Sequence, residues 1–284
     1  MAVQAEAFFL PTEDGQRFCL FYPAQGETTR GLVVYIHPFA EEMNKARRMA
    51  ALQSRALAEA GFSVLQIDLL GCGDSSGDFG DATWQRWVAD VVHACHWLRS
   101  QGNTPPAQMS QVPLWLWGLR AGCLLAVEAA AQLKEPCNFL FWQAPAAGKT
   151  LLQQFLRLKV VGDLLGGQSK GVMEALRQQL ASGAPVEIAG YMLSAGLATG
   201  LERAVLAPAP DTGPTQRLEW FEVSTREDAS LSPVSVKTIA QWRQAGLQVR
   251  SQIAPGPAFW QTSEIEDAPE LIAATTAALS RVPA

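Results

Sequence analysis

The chain has 284 residues, of which 48% are hydrophobic and 17% are charged, and its formal net charge is −5. This length suits one α/β domain with an insertion, and the composition is typical of a globular protein with a large interior. A net charge of −5 gives no sign of the basic surface that nucleic-acid-binding proteins carry, so no nucleic-acid partner is expected.

The N-terminal ten residues lack the basic and apolar segments of a signal peptide, and no apolar run is long enough to span a bilayer. We therefore predict a cytoplasmic protein without a transmembrane segment. The five cysteines are widely spaced and form no C-x-x-C pair, which predicts neither disulfides nor a zinc site. His93 and His96 have the spacing of metal ligands, but no third ligand is evident nearby, so no metal or cofactor is predicted.

Strands and helices alternate along the first half of the chain. The predicted elements are strand 18–22, strand 31–36, helix 44–60, strand 62–67, helix 84–99, strand 112–117, helix 123–133 and strand 138–142. Asn44 is the predicted N-cap of the first helix, and Gly61 is its end signal. Such alternation predicts a parallel sheet with helices on both faces.

The pattern changes after Ala147. Residues 151–206 contain apolar helical stretches and glycine breaks, with little that indicates a strand. The alternation resumes with strand 217–223, helix 235–245, strand 248–253 and helix 269–280. We therefore predict a core built from residues 1–147 and 209–284, interrupted by a helical cap at 148–208. The apolar stretch 192–206 either shelters an acyl ligand or packs on the core.

The sequence Gly118-Leu119-Arg120-Ala121-Gly122 has the outline of a G-x-S-x-G nucleophile elbow, with an arginine in the place of the serine. In that motif a sharp strand-to-helix turn exposes one side chain at the top of the sheet. A guanidinium stays protonated and has no acceptor lone pair, so it cannot be a nucleophile. Taken alone, the five residues are explained equally well by an ordinary glycine turn with an exposed arginine.

Two other motifs accompany the elbow. His37-Pro38-Phe39 resembles the His-Gly loop that follows the third strand of α/β-hydrolases, and residues 68–75 resemble their D-x-x-G-x-G-x-S turn. The chain thus resembles an α/β-hydrolase over essentially its whole length. The resemblance implies an α/β fold with a mostly parallel, twisted sheet flanked by helices, and with a helical cap insertion.

Residues 37–45, 118–122 and 256–261 more narrowly resemble the exosortase A system-associated hydrolase 2 family. That family is named for bacterial gene neighbourhoods that handle protein sorting and exopolysaccharide production. The resemblance implies partners from such a system, but the word hydrolase in the family name settles nothing about this active site.

A hydrolase of this fold uses a nucleophile, an acid and a histidine in that chain order. All the histidines precede the elbow: His37, His93 and His96. Pro257 or Ala258 stands where the late histidine is expected, so the base is missing as well as the nucleophile. Asp228, or Glu227 beside it, lies where the triad acid usually sits. A solvated turn carboxylate is the other interpretation of that position.

The oxyanion hole does not depend on side chains, because its implied donors are the backbone N–H groups of Phe39 and Ala121. Arg120, at the positive end of a helix beside these donors, predicts a site for a carboxylate or phosphate. The competing interpretation is an internal ion pair, for which the candidate partners are Glu41, Glu42 and Asp68. Both states are compatible if a ligand displaces the internal partner.

Two functions stay open at this point. In the first, the serine triad is lost, and the protein binds a small anionic or acyl ligand or assists the exosortase or exopolysaccharide system. In the second, the protein is an active hydrolase or acyltransferase that uses the Cys72 thiolate and the His37 imidazole. A buried structural cysteine and a loop-orienting histidine are the alternative interpretation of that pair. Trp142 and Trp260 are predicted to line the pocket, because each lies at the end of a strand.

Overall fold

The structure is a computed structural model, which describes residues 3–101, 109–133, 135–165, 171–209, 213 and 215–281. Its strands are β1 Glu6–Thr12, β2 Gly15–Tyr22, β3 Gly31–Ile36, β4 Phe62–Ile67, β5 Leu114–Leu119, β6 Cys137–Trp142, β7 Val186–Ile188, β8 Tyr191–Leu193, β9 Arg217–Ser224 and β10 Gln248–Pro255. Its helices are α1 Glu41–Glu59, α2 Trp84–Ser100, α3 Ala121–Gln132, α4 Gly148–Leu165, α5 Val172–Ala181, α6 Ala195–Arg203, α7 Pro233–Gln244 and α8 Pro269–Ser280.

One sheet holds eight of the described strands in the order β1-β2-β4-β3-β5-β6-β9-β10. From β4 to β10 every neighbouring pair is parallel, and only the pairs β1–β2 and β2–β4 are antiparallel. The mostly parallel sheet flanked by helices that the sequence predicts is therefore confirmed.

The central strands are apolar on both sides because helices cover both faces of the sheet. All six residues of β3 and all six of β5 are buried. Successive β3 side chains point to opposite faces, so Val34 packs in the same cluster as Trp87 of α2, whereas Val33 packs with Met49 of α1. Two apolar layers result, which is the usual burial pattern of a parallel sheet.

Some local details differ from the sequence-based expectations. The predicted N-cap at Asn44 is wrong, because α1 begins at Glu41 after a backbone turn at Ala40 with φ 48°. Two acidic residues in the first turn then face the positive end of the helix dipole. Strand β1 was not predicted, since it contains Pro11 and lies at the sheet edge, where strands tolerate proline.

The segment between β6 and β9 carries helices α4 to α6 and one short antiparallel hairpin, β7–β8. Its glycine break at 166–167 lies outside the described residues. The two ends of the segment meet in an antiparallel bridge between Ala147 and Val205. On α6, a Cβ added at Gly200 would lie 2.0 Å from Cβ of Trp84, so α6 packs directly on α2. The segment thus packs on the core through its last helix, α6.

Glycine is required on both sides of residue 120. A Cβ at Gly118 would lie 2.4 Å from the backbone nitrogen of Cys123, and one at Gly122 would lie 2.1 Å from the carbonyl oxygen of Ile36. Real Cβ atoms do not approach so closely, so the turn from β5 into α3 admits no side chain at either place. The glycines of the motif therefore serve the backbone path.

We expect Gly122→Ala to destabilise the protein, although Gly122 lies in a helix, where alanine is normally favoured over glycine by about 1 kcal/mol. The clash of the new Cβ with the carbonyl oxygen of Ile36 in β3 should outweigh this helix preference. We expect it to lower the free energy of unfolding by at least about 2 kcal/mol. Urea denaturation measures the change. The matched control is Gly213→Ala, since a Cβ there meets nothing within 4 Å. Unchanged or increased stability of Gly122→Ala would contradict the close approach.

Candidate functional site

Arg120 occupies the apex of the turn between β5 and α3. Its backbone has φ 54° and ψ −116°, a region that a long side chain rarely adopts. The surrounding chain holds it there: the Arg120 N–H donates to the carbonyl of Trp142 at 3.0 Å, and the Cys123 N–H donates to the carbonyl of Arg120 at 3.0 Å. The strained turn therefore projects the guanidinium beyond the carboxyl end of the sheet.

The Arg120 guanidinium has three neighbours. Its Nε and Nη2 donate to Oε1 of Glu42 at 3.2 and 3.1 Å, and Nη2 also donates to Oε1 of Gln154 at 2.8 Å. Its Cζ lies 5.9 Å from the ring centre of Trp260, within the range of a cation–π contact. The ion pair is well shielded, because the Arg120 and Glu42 side chains are 12% and 11% exposed. Arg120 is thus internally paired, to Glu42.

The two acidic residues at the start of α1 have different surroundings. Burial raises the pKa of the Glu42 carboxyl, and Arg120 and a hydrogen bond from Gln261 offset part of that rise. Burial also raises the pKa of Glu41, with Lys45 and Arg120 acting in the opposite direction. Among the described residues, Oε2 of Glu41 is buried and has no hydrogen-bond partner. Both carboxyl groups are therefore closer to accepting a proton than an ordinary surface glutamate.

These residues line a cavity of about 490 Å³ between the carboxyl end of the sheet and the segment that joins β6 to β9. Its wall is mainly apolar, and charged side chains come from α1 and from the elbow. The lining consists of Phe39, Glu41, Glu42, Lys45, Arg120, Leu151, Gln154, Phe155, Leu158, Ala189, Trp260 and Gln261. Ligands of open α/β sheets bind at this end of the strands. The volume falls within the usual range for small-molecule sites.

Trp260 is the residue of the final loop that reaches Arg120. It lies five residues beyond the end of β10, is 4% exposed and lines the cavity. Pro257 and Ala258, the positions where a late histidine was expected, do not line the cavity. An indole nitrogen is only a donor and cannot act as a general base. Arg120 therefore faces an aromatic ring and a carboxylate, and no imidazole is among the described residues that line the cavity.

The other tryptophan predicted to line the pocket packs in the core. The Trp142 indole N–H donates to the hydroxyl of Thr275 in α8 at 3.0 Å. The two indole rings of Trp142 and Trp117 are in edge contact, with ring centres 4.7 Å apart. Trp142 therefore belongs to the apolar layer between the sheet and α8, and only its backbone carbonyl supports the elbow.

His37 and Cys72 are both buried, but neither is free for acid–base chemistry. Nδ1 of His37 lies 2.7 Å from the carbonyl oxygen of Pro38, and its Nε2 accepts the N–H of Leu69 at 3.3 Å. Those partners fix a neutral ring that bridges two loops, and burial lowers the pKa of His37. Burial raises the pKa of the Cys72 thiol far above its usual range, which opposes thiolate formation at neutral pH.

The remaining carboxylate candidates lie outside the cavity lining. Asp68 is buried, and its Oδ2 accepts from Arg47 at 2.9 Å and from the N–H of Asp74 at 3.2 Å. Asp228 has an 80% exposed side chain that pairs with Arg226 at 3.2 Å in solvent. Asp68 therefore holds the loop after β4, and Asp228 is a surface residue.

The two predicted oxyanion donors belong to the loop after β3 and to the start of α3. Phe39 lines the cavity, and its ring packs edge-on against Phe155 of α4 with ring centres 5.1 Å apart. Ala121 is the first residue of α3, where backbone N–H groups have no intrahelical acceptor. The two donors remain a prediction.

Sequence reasoning missed the contribution of α4. Leu151, Gln154, Phe155 and Leu158 all line the cavity, and their spacing places them on one helix face. That spacing is visible in the sequence. It indicates an apolar helix face, but the sequence does not reveal what the face covers.

The sheet order and the strained turn between β5 and α3 are those of an α/β-hydrolase fold. The family described as Hydrolase_4, serine aminopeptidase S33, matches residues 27–187, which is more than half of the chain. The chain therefore belongs to this family.

Individual relatives are more distant. Human protein ABHD12B is 26% identical over 163 residues, which cover 56% of this chain and 42% of ABHD12B. The chain thus spans less than half the length of that relative. Among solved structures, Est1E of Butyrivibrio proteoclasticus with bound ferulic acid has 16% identity, 96% coverage of both chains and a TM-score of 0.65.

A soluble variant of monoglyceride lipase from Saccharomyces cerevisiae, in complex with a substrate analogue, has 15% identity and a TM-score of 0.62, with 98% of this chain and 96% of the lipase covered. At these identities the likeness shows a shared fold alone. In the part of the chain that the structure describes, no helix has both the length and the apolar character needed to cross a membrane.

We expect Arg120→Leu to lower the free energy of unfolding by about 3 kcal/mol, because it leaves the Glu42 carboxylate buried without its partner. Burial then raises the pKa of Glu42 further. The loss of stability in Arg120→Leu should therefore shrink as pH falls toward the ordinary pKa range of a glutamate. It should grow as pH rises through the raised pKa of Glu42. Denaturation at several pH values measures it.

A double-mutant cycle separates the ion pair from other effects of the leucine. Glu42→Leu added to Arg120→Leu should recover much of the lost stability, because no buried charge remains. The control is Arg226→Leu, which breaks an exposed pair and should change stability by less than about 1 kcal/mol. Additive effects of the two cavity mutations would contradict the pairing.

Proposed function

We propose that this protein is a non-catalytic member of its family, which binds an acyl or ester-like small molecule in the cavity at the elbow. The observation that carries this proposal is the side chain at the elbow apex. Arg120 has no nucleophilic atom and is held by Glu42, Gln154 and Trp260. The place of the serine and the space in front of it are therefore occupied by an ion pair and an indole.

The size of the fall in turnover when triad residues are removed supports the loss of catalysis. Removing one member of a serine triad lowers turnover by roughly 10⁴- to 10⁶-fold, and the remainder comes from the oxyanion hole and from binding. This chain lacks both the serine and the late histidine. Hydrolysis by the ordinary route is therefore expected at background level.

The rearranged chemistry through Cys72 and His37 has weaker support. Both ring nitrogens of His37 already have backbone partners, and the raised pKa of Cys72 keeps its sulfur protonated. A thiolate–imidazole pair needs the opposite conditions, namely a lowered thiol pKa and a base with a free nitrogen.

The wall of the cavity supports an acyl ligand. Phe39, Leu151, Phe155 and Trp260 are each 5% exposed or less and surround the space above Arg120. Leu158, which is 40% exposed, lies at its rim. We propose that residues 148–208 form a cap on the core, so that an apolar chain reaches the cavity between α4 and the final loop.

We also propose that the protein works with a bacterial exosortase or exopolysaccharide system. The support is the sequence resemblance at residues 37–45, 118–122 and 256–261. Deletion of the gene in its native host should alter surface-protein sorting or exopolysaccharide yield, and the chain with Arg120→Leu should fail to restore it. A deletion strain indistinguishable from the parent would count against this setting.

The purified protein should not hydrolyse activated esters of short or medium acyl chains above the rate in buffer, and a fluorophosphonate probe should not label it. The physical reason is the absence of both a nucleophile and a base at the elbow. Turnover or iodoacetamide labelling that disappears in Cys72→Ala would overturn the non-catalytic proposal. A fold-matched active esterase serves as the positive control.

The cavity should bind a medium-chain acyl compound, and Phe155→Ala should weaken that binding about tenfold or more because it removes a buried aromatic wall. Calorimetry with octanoate and with methyl octanoate measures both affinities. Phe9→Ala is the matched control, since Phe9 is 47% exposed on β1 and does not line the cavity. If neither compound binds, the proposed function fails.

A further inference from the structure

The Glu42 carboxylate occupies the position that an anionic ligand of Arg120 requires. The guanidinium already gives Nε and Nη2 to Glu42, and Nη2 to Gln154. The pair is largely shielded from water. An incoming carboxylate therefore meets a guanidinium whose Nε–Nη2 edge is already occupied, and it pairs with that edge only by replacing Glu42.

The ligand group that replaces Glu42 has to provide Arg120 with similar hydrogen bonds and a similar charge. A guanidinium favours a planar acceptor with two oxygens, and charge-assisted hydrogen bonds are about twice as strong as neutral ones. An ester carbonyl carries no charge and cannot compensate for the loss of a carboxylate from a shielded guanidinium. A ligand carboxylate reproduces both the geometry and the charge of Glu42.

Charge balance then sets a second condition. The charged residues that line the cavity are Glu41, Glu42, Lys45 and Arg120, and their formal charges cancel. A bound carboxylate adds one negative charge to a partly buried space, where unpaired charge is unfavourable. A proton taken from solvent restores neutrality.

Glu42 is the group placed to accept that proton. Burial raises its pKa even with Arg120 beside it, and the displaced carboxyl loses the neighbour that opposes the rise. The groups around it are Glu41 and Lys45 on α1, Arg120 of the elbow, and Tyr35 of β3, which burial keeps neutral by raising its pKa. Gln154 and Gln261 carry no charge.

We infer that the cavity takes a carboxylic acid with an apolar chain by exchange: the ligand carboxylate replaces Glu42 on Arg120, and Glu42 takes up a proton from solvent. The inference rests on the proposed function and adds the class of head group and a coupling to pH. No covalent bond other than the new O–H of Glu42 forms. The apolar chain lies along Phe39, Phe155 and Leu158.

The predicted proton uptake fixes the direction in which pH changes the ligand affinity. Because the complex holds one more proton than the separated partners, low pH favours binding. The dissociation constant of a carboxylate ligand should rise by up to about tenfold for each pH unit over the range in which Glu42 is ionised in the free protein and protonated in the complex. The ligand itself stays ionised above about pH 6.

The experiment is calorimetric titration of the full chain with octanoate in imidazole and in Tris, two cationic buffers with different ionisation enthalpies, at several pH values above 6. The difference in heat gives the number of protons taken up, which should approach about one per octanoate. In Glu42→Gln the uptake should vanish, and octanoate should bind about tenfold tighter near neutral pH because the competing carboxylate is gone.

Glu41→Gln is the matched control, since it removes the adjacent carboxyl and leaves Glu42 in place, so proton uptake should persist. Methyl octanoate has the same chain without the charge and should bind more weakly and without proton uptake. Octanoate binding without uptake, or uptake lost in Glu41→Gln and kept in Glu42→Gln, would overturn the exchange while leaving the proposed function standing. Equal binding of the methyl ester would overturn the carboxylate class.

Discussion

A positive charge at the apex of the elbow needs a partner, and this constraint organises the site. The strained turn fixes where the guanidinium projects, and the sharp start of α1 after Ala40 brings Glu42 to meet it. Trp260 covers one face of the guanidinium, and Gln154 of α4 reaches its outer nitrogen. Helix α1, helix α4 and the loop after β10 therefore all contribute a side chain next to this single charged group.

The parallel sheet brings these parts of the chain together at one end of its strands. Loops that follow β3, β5 and β10 all emerge at the same end of the parallel sheet, as the topology requires. Gly118 and Gly122 allow the backbone path of a nucleophile elbow, and the residue at its apex is an arginine. The backbone path of the elbow thus does not depend on which side chain stands at the apex.

Periodicity and glycine spacing predicted the sheet, the elbow and Arg120 as its central residue, because these features are local in the sequence. The sequence alone did not distinguish Glu42 from Glu41 and Asp68 as the partner of Arg120, since all three follow the ends of neighbouring strands. The Asp68 carboxylate had a nearer cation in Arg47, which no spacing rule reveals. Trp142 was placed at the pocket because it ends a strand, whereas the pleat turns its ring toward α8.

The Arg120–Glu42 pair also limits which substitutions the chain can tolerate at position 120. A serine introduced alone at position 120 would sit in a correctly shaped elbow, but it would strand a buried carboxylate at a loss of roughly 3 kcal/mol. It would also face Trp260, so no activity would compensate for the lost stability. Serine-based chemistry at this elbow would therefore require several substitutions together. The ion pair makes a single substitution at its apex costly in stability.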